Sequence, residues 1–217
     1  MEPIKELSKR LNFQRLFADG KIVNIGCGEN PALFPDDTMH VDLDVYKHKN
    51  FTRADAHHLP FKDDEFDTAV LGDMLEHCPD PVQVLKEAAR VAKKVVATIF
   101  EEWRLKEMGT TQADYVAHME KGIKDMGFKS HYDYLKSLPT IANLIESVTP
   151  DSEIMHHPHI HEFKDDDIHK LVSDAGLELS IYHKFVEGHC DGHTIYNWVI
   201  VARKRGGDES TGAVQRA

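Results

Sequence analysis

The first hundred residues alternate between short, almost wholly apolar runs and longer stretches whose apolar residues recur at helical spacing. Residues 2–17 place Ile4, Leu7, Leu11 and Leu16 near that spacing and stop before Asp19-Gly20, which predicts a first helix with a glycine stop. Residues 22–25 and 40–43 read as strands one and two, 50–54 as a short third strand leading to Asp55, 68–71 as a fourth and 94–100 as a fifth. Runs this short and apolar belong to strands covered on both faces, the habit of parallel sheets. The segment Leu59-Pro60-Phe61 followed by Asp63-Asp64-Glu65 reads as a loop. Ahead of the fifth strand, Asp80-Pro81-Val82-Gln83 opens a helix running to about Ala92, with Asp80 as its cap and Pro81 in its first turn. Strand and helix in alternation predict a doubly wound α/β sheet.

After Phe100 the pattern changes. From Glu101 to Pro158 Met, Tyr, Lys and Glu recur without strand-like runs, and Gly109, Gly122, Gly127, Pro139 and Pro150 break the stretch into pieces. This predicts short helices inserted after the fifth strand, at the carboxyl edge of the sheet, where such folds bind ligands. Residues 101–158 are thus expected to form a helical lid and substrate insertion. Residues 165–175 predict a further helix stopped by Gly176, and 177–186 with 196–203 a closing strand pair. The expected organisation is one domain over residues 1–204 and a Gly-, Ser- and charge-rich disordered tail over 205–217.

Composition narrows the field. The chain has 217 residues, enough for one buried core. Its formal net charge of -11 repels a phosphate backbone, so general nucleic-acid binding is not expected. No apolar run approaches the roughly 20 residues that span a bilayer, so no membrane association is expected. The start, Met1-Glu2-Pro3-Ile4-Lys5-Glu6, is too charged for a secretory signal. Three widely spaced cysteines, Cys27, Cys78 and Cys190, suit a reduced, cytoplasmic chain.

The candidate chemistry lies where the first two strands end. Ile22-Val23-Asn24-Ile25 runs into Gly26-Cys27-Gly28, and Met39-His40-Val41 runs into Asp42. Glycines at such a turn admit positive φ and let a ligand approach the main chain. An acid at the tip of the next strand can accept both hydroxyls of a ribose. A dinucleotide fingerprint needs a third glycine, and here that position is Pro31, with Glu29 in the loop. A carboxylate there repels a pyrophosphate and attracts an ammonium group. The loop therefore favours a nucleoside with an amino-acid tail, and S-adenosyl-L-methionine fits that description.

Further motifs follow in order: Val41-Asp42-Leu43-Asp44, Ala54-Asp55-Ala56-His57-His58-Leu59-Pro60-Phe61, Asp64-Glu65-Phe66-Asp67 and Leu75-Glu76-His77. With Asn24-Ile25-Gly26-Cys27-Gly28 they resemble class I S-adenosylmethionine-dependent methyltransferases, strongly over residues 20–100 and again from His159 to Gly176. Asn24 departs from the acid that many of those proteins carry, which loses a charge toward the cofactor's ammonium. The resemblance implies a mostly parallel, seven-stranded Rossmann-like sheet, S-adenosyl-L-methionine as cofactor and a small-molecule acceptor. It implies a cofactor site of Asn24, Gly26, Cys27, Gly28, Asp42, Leu43, Asp55, Ala56, Gly72 and Asp73. In it Asp42, rather than Asp44, holds the ribose and Asp55 the adenine amino group.

The edge at Gly72-Asp73 would face the transferred methyl, where Asp73 either orients the acceptor or caps the following helix. Cys27 is read as a small residue of the turn rather than a nucleophile. His77 is a candidate base, set against a packed, hydrogen-bonded histidine. The densest of the chain's 15 histidines are His156-His157-Pro158-His159-Ile160-His161. No recognised zinc spacing accompanies them, so no metal is expected. His159 or His161 at the mouth of the crevice is the further candidate base, since an imidazole titrates near neutrality. Two other classes share such a sheet, an NAD-linked oxidoreductase and a non-catalytic nucleoside-binding protein or an enzyme using the same cofactor for another reaction.

Overall fold

A computed structural model of the chain describes residues 9–28, 34–101, 121, 124–127, 129, 160–190 and 193–206. Seven strands form one sheet: β1 (Ile22–Ile25), β2 (Met39–Asp42), β3 (Phe51–Arg53), β4 (Phe66–Gly72), β5 (Ala92–Phe100), β6 (Leu177–Cys190) and β7 (His193–Lys204). Their order is β3-β2-β1-β4-β5-β7-β6. β1 to β5 pair in parallel, and β7 runs antiparallel between β5 and β6. This is the predicted mostly parallel sheet with a closing hairpin. The strand order reverses between β1 and β4, which opens a crevice at their carboxyl ends.

Side chains of β1, β4 and β5 alternate between the two faces of the sheet. Val23 and Ile25 of β1, Ala69 and Leu71 of β4, and Val95, Ala97 and Ile99 of β5 join one core cluster. Two helices, α2 (Pro81–Val91) and α3 (Asp165–Asp174), cover that face with Val84, Leu85, Ala88, Ile168 and Leu171. Ile22, Val70, Val96, Val199 and Val201 point to the opposite face, where Phe13 and Phe17 of α1 (Lys9–Phe17) pack. Helix α2 begins as its sequence requires: Asp80 Oδ1 accepts from Gln83 N at 3.0 Å and Pro81 fills the first position.

The first half of the predicted opening helix, the expected insertion over 101–158 apart from Glu101 and a few isolated positions, and nearly all of the expected tail lie outside the described residues. Among the described residues no helix is long and apolar enough to cross a membrane.

Candidate functional site

The turn after β1 folds back onto β2. Gly26 N donates to Val41 O at 2.8 Å and Cys27 N to the same oxygen at 3.1 Å. Gly26 and Gly28 both adopt left-handed backbone, φ 67° and 52°. A Cβ on Gly26 would stand 2.8 Å from Met74 Sδ, so the turn after β4 packs directly on the turn after β1. The Gly28 residue is held on both sides: its N–H donates to Asp42 Oδ2 at 2.9 Å, and His48 Nε2 donates to its carbonyl at 2.9 Å. The other Asp42 oxygen accepts from Asp44 N at 3.1 Å. Cys27 is buried between the glycines; burial first, then the Asp42 charge, pushes its thiol pKa up, which disfavours the thiolate that a nucleophile needs.

Leu43, beside Asp42, is 60% exposed, a large apolar side chain open at the crevice, whereas Ala56 is buried. Asp55 Oδ1 accepts from His57 N at 2.9 Å and His57 Nδ1 at 2.6 Å, and His57 Nε2 accepts from Asp80 N at 3.3 Å. The His57 backbone N–H, then its ring, hold the Asp55 carboxyl below its ordinary pKa. Asn24 is buried in β1 with Nδ2 3.5 Å from His40 Nδ1, a long contact. Burial, with His48 adding to it, lowers the His40 pKa to about 4.

At the end of β4, Asp73 has φ 48° and is ion-paired to Arg10 of α1. Thr98 Oγ1 donates to Asp73 Oδ1 at 2.6 Å, and Gln14 Nε2 donates to Thr98 Oγ1 at 2.8 Å. A Cβ at Gly72 would stand 2.7 Å from Gln14 Nε2, so α1 lies close against this strand end. Glu76, in the short 3-10 turn Leu75–His77, is fully buried, and its Oε1 accepts from Phe100 N at 3.0 Å. Burial, then the Asp73 charge, pushes its pKa up to about 8. The Glu76 carbonyl accepts from Ile160 N at 2.9 Å and His161 N at 3.1 Å, so the chain re-enters the sheet here.

His77 ends the 3-10 turn, half-buried, its N–H donating to Met74 O at 3.0 Å. His161 donates through Nε2 to Cys78 O at 2.9 Å, stacks on Phe163, and lines a shallow groove with Val82 and Leu171. His159 lies outside the described residues. Among the described residues no group of three or more His, Cys, Asp or Glu is placed to hold a metal.

The structure therefore gathers Gly26, Cys27, Gly28 and Asp42 into one hydrogen-bonded unit, and Met74 joins it to Gly72 and Asp73. Sequence reasoning missed Arg10, Gln14, Thr98, His48 and the buried state of Glu76. Only Glu76 left a trace, as the central residue of Leu75-Glu76-His77.

Residues 24–100 match the methyltransferase-domain family. Over 161 residues the chain is 29% identical to the ubiquinone/menaquinone biosynthesis C-methyltransferase UbiE of Rickettsia massiliae, covering 72% of this chain and 57% of that protein. Among solved structures, an S-adenosylmethionine-dependent methyltransferase from Methanosarcina mazei superposes with a TM-score of 0.51 at 20% identity, covering 86% of this chain and 92% of that one. The [4+2]-cyclase SpnF shares the fold as well, with a TM-score of 0.51 at 13% identity over 90% of this chain and 79% of that one. Residues 24–100 thus match a methyltransferase-domain family, and the sheet has the class I methyltransferase fold. It spans a little over half the length of the UbiE protein that it matches. A domain of this family implies S-adenosyl-L-methionine as cofactor, and the glycine turn, the Asp42 carboxylate and the open Leu43 side chain fit that molecule.

Proposed function

We propose that this chain is an S-adenosylmethionine-dependent methyltransferase that transfers a methyl group to an O, N or C nucleophile of a small molecule. The observation that carries the reading is the state of Gly28, whose N–H is donated to the Asp42 carboxylate at 2.9 Å. A dinucleotide loop turns such amides onto a pyrophosphate. Here the amide is taken and a carboxylate stands beside it, which repels phosphate and suits a ligand with a ribose and no phosphate. The NAD-linked alternative is disfavoured on that ground.

Each Asp42 oxygen accepts one N–H and keeps acceptor capacity for a ribose hydroxyl. Leu43 offers apolar surface to adenine, the Ala56 backbone lies beside the ring, and Asp55 offers an acceptor for its amino group. The open space beside Gly28, where an added Cβ would meet nothing within 4 Å, leaves room for the methionine portion. Bound there, the cofactor supplies an activated methyl on a sulfonium. The protein's own work is then to position the acceptor and exclude water, and positioning alone contributes roughly 7–11 kcal/mol in well-oriented reactions.

Asp73 stands at the acceptor side as a fixed hydrogen-bond acceptor, since Arg10 and Thr98 hold it. It orients a donor group of the acceptor. His77 and His161 are the described candidates to take a proton; with Nε2 donating to Cys78 O, a neutral His161 keeps its free lone pair on Nδ1. The C-methyltransferase description of UbiE favours carbon as the attacked atom. Cys27 and Cys78 are free thiols, in keeping with a reducing, cytoplasmic setting. Calorimetric titration should show S-adenosylhomocysteine binding and NAD undetectable, and labelled methyl should then move to candidate acceptors. Tight NAD binding would overturn the assignment; cofactor binding with no methyl movement to any acceptor would leave another reaction of the same cofactor.

A further inference from the structure

His48 lies in the loop between β2 and β3, four residues beyond the Val41-Asp42-Leu43-Asp44 motif. Its ring is packed among aromatic groups: His40 at 5.1 Å, Tyr46 stacked at 5.7 Å and Phe51 at 6.0 Å between centroids. Nε2 is 2.9 Å from Gly28 O, while the buried Nδ1 has no hydrogen-bond partner among the described residues. A carbonyl only accepts, so the proton is on Nε2 and Nδ1 carries the lone pair. A second proton on Nδ1 would be buried against rings with nothing to receive it. Burial accordingly holds the His48 pKa below its ordinary value, although the Gly28 carbonyl and Asp42 act the other way. One tautomer, a donor at Nε2, is thereby selected.

We propose that His48 is a positioning residue of the cofactor loop: it and Asp42 grip Gly28 through the two peptide groups that flank its Cα, by carbonyl and N–H, and fix the loop in its ligand-binding form. The inference rests on the reading of the crevice as an S-adenosylmethionine site. Gly28 has positive φ, and a Cβ built there would meet nothing within 4 Å. Space is open on the side where a Cβ would stand, and two side-chain hydrogen bonds hold the residue. Both come from the far end of β2 and its following loop, so the acid that receives the ribose and the loop that receives the rest of the cofactor form one unit. A loop already held in place loses less freedom when ligand binds, which raises affinity without a new contact.

The test is calorimetric titration of S-adenosylhomocysteine into wild type, His48→Phe, His48→Gln, Asp42→Asn and the His48→Phe/Asp42→Asn double variant. Phe keeps the aromatic packing and removes the donor; affinity should fall about three- to tenfold, the range of one hydrogen bond. Gln keeps an N–H donor and should recover part of that loss. Because both side chains hold the same residue, the double variant should lose less than the product of the two single losses. Multiplying losses, Gln no better than Phe, or unchanged affinity in a folded His48→Phe protein would overturn the clamp. An independent readout is amide exchange at Gly28 in the free protein, which should quicken in His48→Phe. If wild type does not bind S-adenosylhomocysteine, the functional reading falls, and Gly28 exchange alone decides the clamp.

Discussion

On the proposed reading Asp42 does two jobs with one carboxylate. It accepts the N–H of Gly28 and of Asp44, and it is the acid proposed to receive the ribose. Asp42→Ala should therefore weaken S-adenosylhomocysteine binding by about 10–150-fold, the equivalent of roughly 1.5–3 kcal/mol for a charged hydrogen bond. Titration of the folded variant measures it, and an unchanged affinity would move the ribose to Asp44. Glu76 makes a different residue-scale prediction. Its carboxyl loses its proton near 4.5 when unfolded and near 8 when folded. Between those values the folded state binds more protons, so stability should fall as pH rises through the window and level off above it. Glu76→Gln keeps the acceptor for Phe100 N and carries no charge, so it should flatten that slope. Denaturant melts from about pH 5 to about pH 9 decide it; a wild-type curve already flat there would mean that Glu76 is ionised in the fold.

Helix α2 shows how far local signals reach at the scale of elements. Asp80 caps it through Gln83 N, and Asp80→Ala should cost about 1 kcal/mol, read as a lower denaturation midpoint with an unchanged slope. Cap, proline and apolar spacing were all legible in the sequence, as were β1 and β2, because one rule governs each. Strand ends were less legible. β4 begins at Phe66, two residues earlier than its apolar run, because Asp67 meets Lys21 N at 2.9 Å and Lys93 at 2.7 Å at the sheet's edge. β6 extends to Cys190, past the predicted Val186. Register shifts between Leu179 and Ile181 and between Val186 and Gly188 break the alternation that marks a strand. The contacts that complete the site were not legible at all. Arg10 meets Asp73 across 63 positions and Gln14 meets Thr98 across 84, and no local pattern encodes a pairing set by how α1 lies on the sheet.

For the whole molecule, the sheet divides the labour. β1 and β2 end in the glycine turn and the acid, and β4 and β5 end at Asp73, Thr98 and Glu76. The two halves meet where Met74 packs on Gly26. A fold shared with a [4+2]-cyclase does not by itself fix the reaction, so the decisive whole-molecule property is which ligand the native state binds. A ligand that binds only the folded chain stabilises it by an amount set by its concentration over its dissociation constant, about 2.7 kcal/mol at a hundredfold excess. For a domain of this size each kcal/mol raises the melting temperature by roughly 2–4 °C. S-adenosylhomocysteine at that excess should therefore raise it by about 5–11 °C, and NAD at the same concentration should leave it unchanged. Asp42→Ala at that same ligand concentration should show a much smaller rise. A rise with NAD, or an undiminished rise in Asp42→Ala, would place the binding energy somewhere other than the Gly28–Asp42 unit.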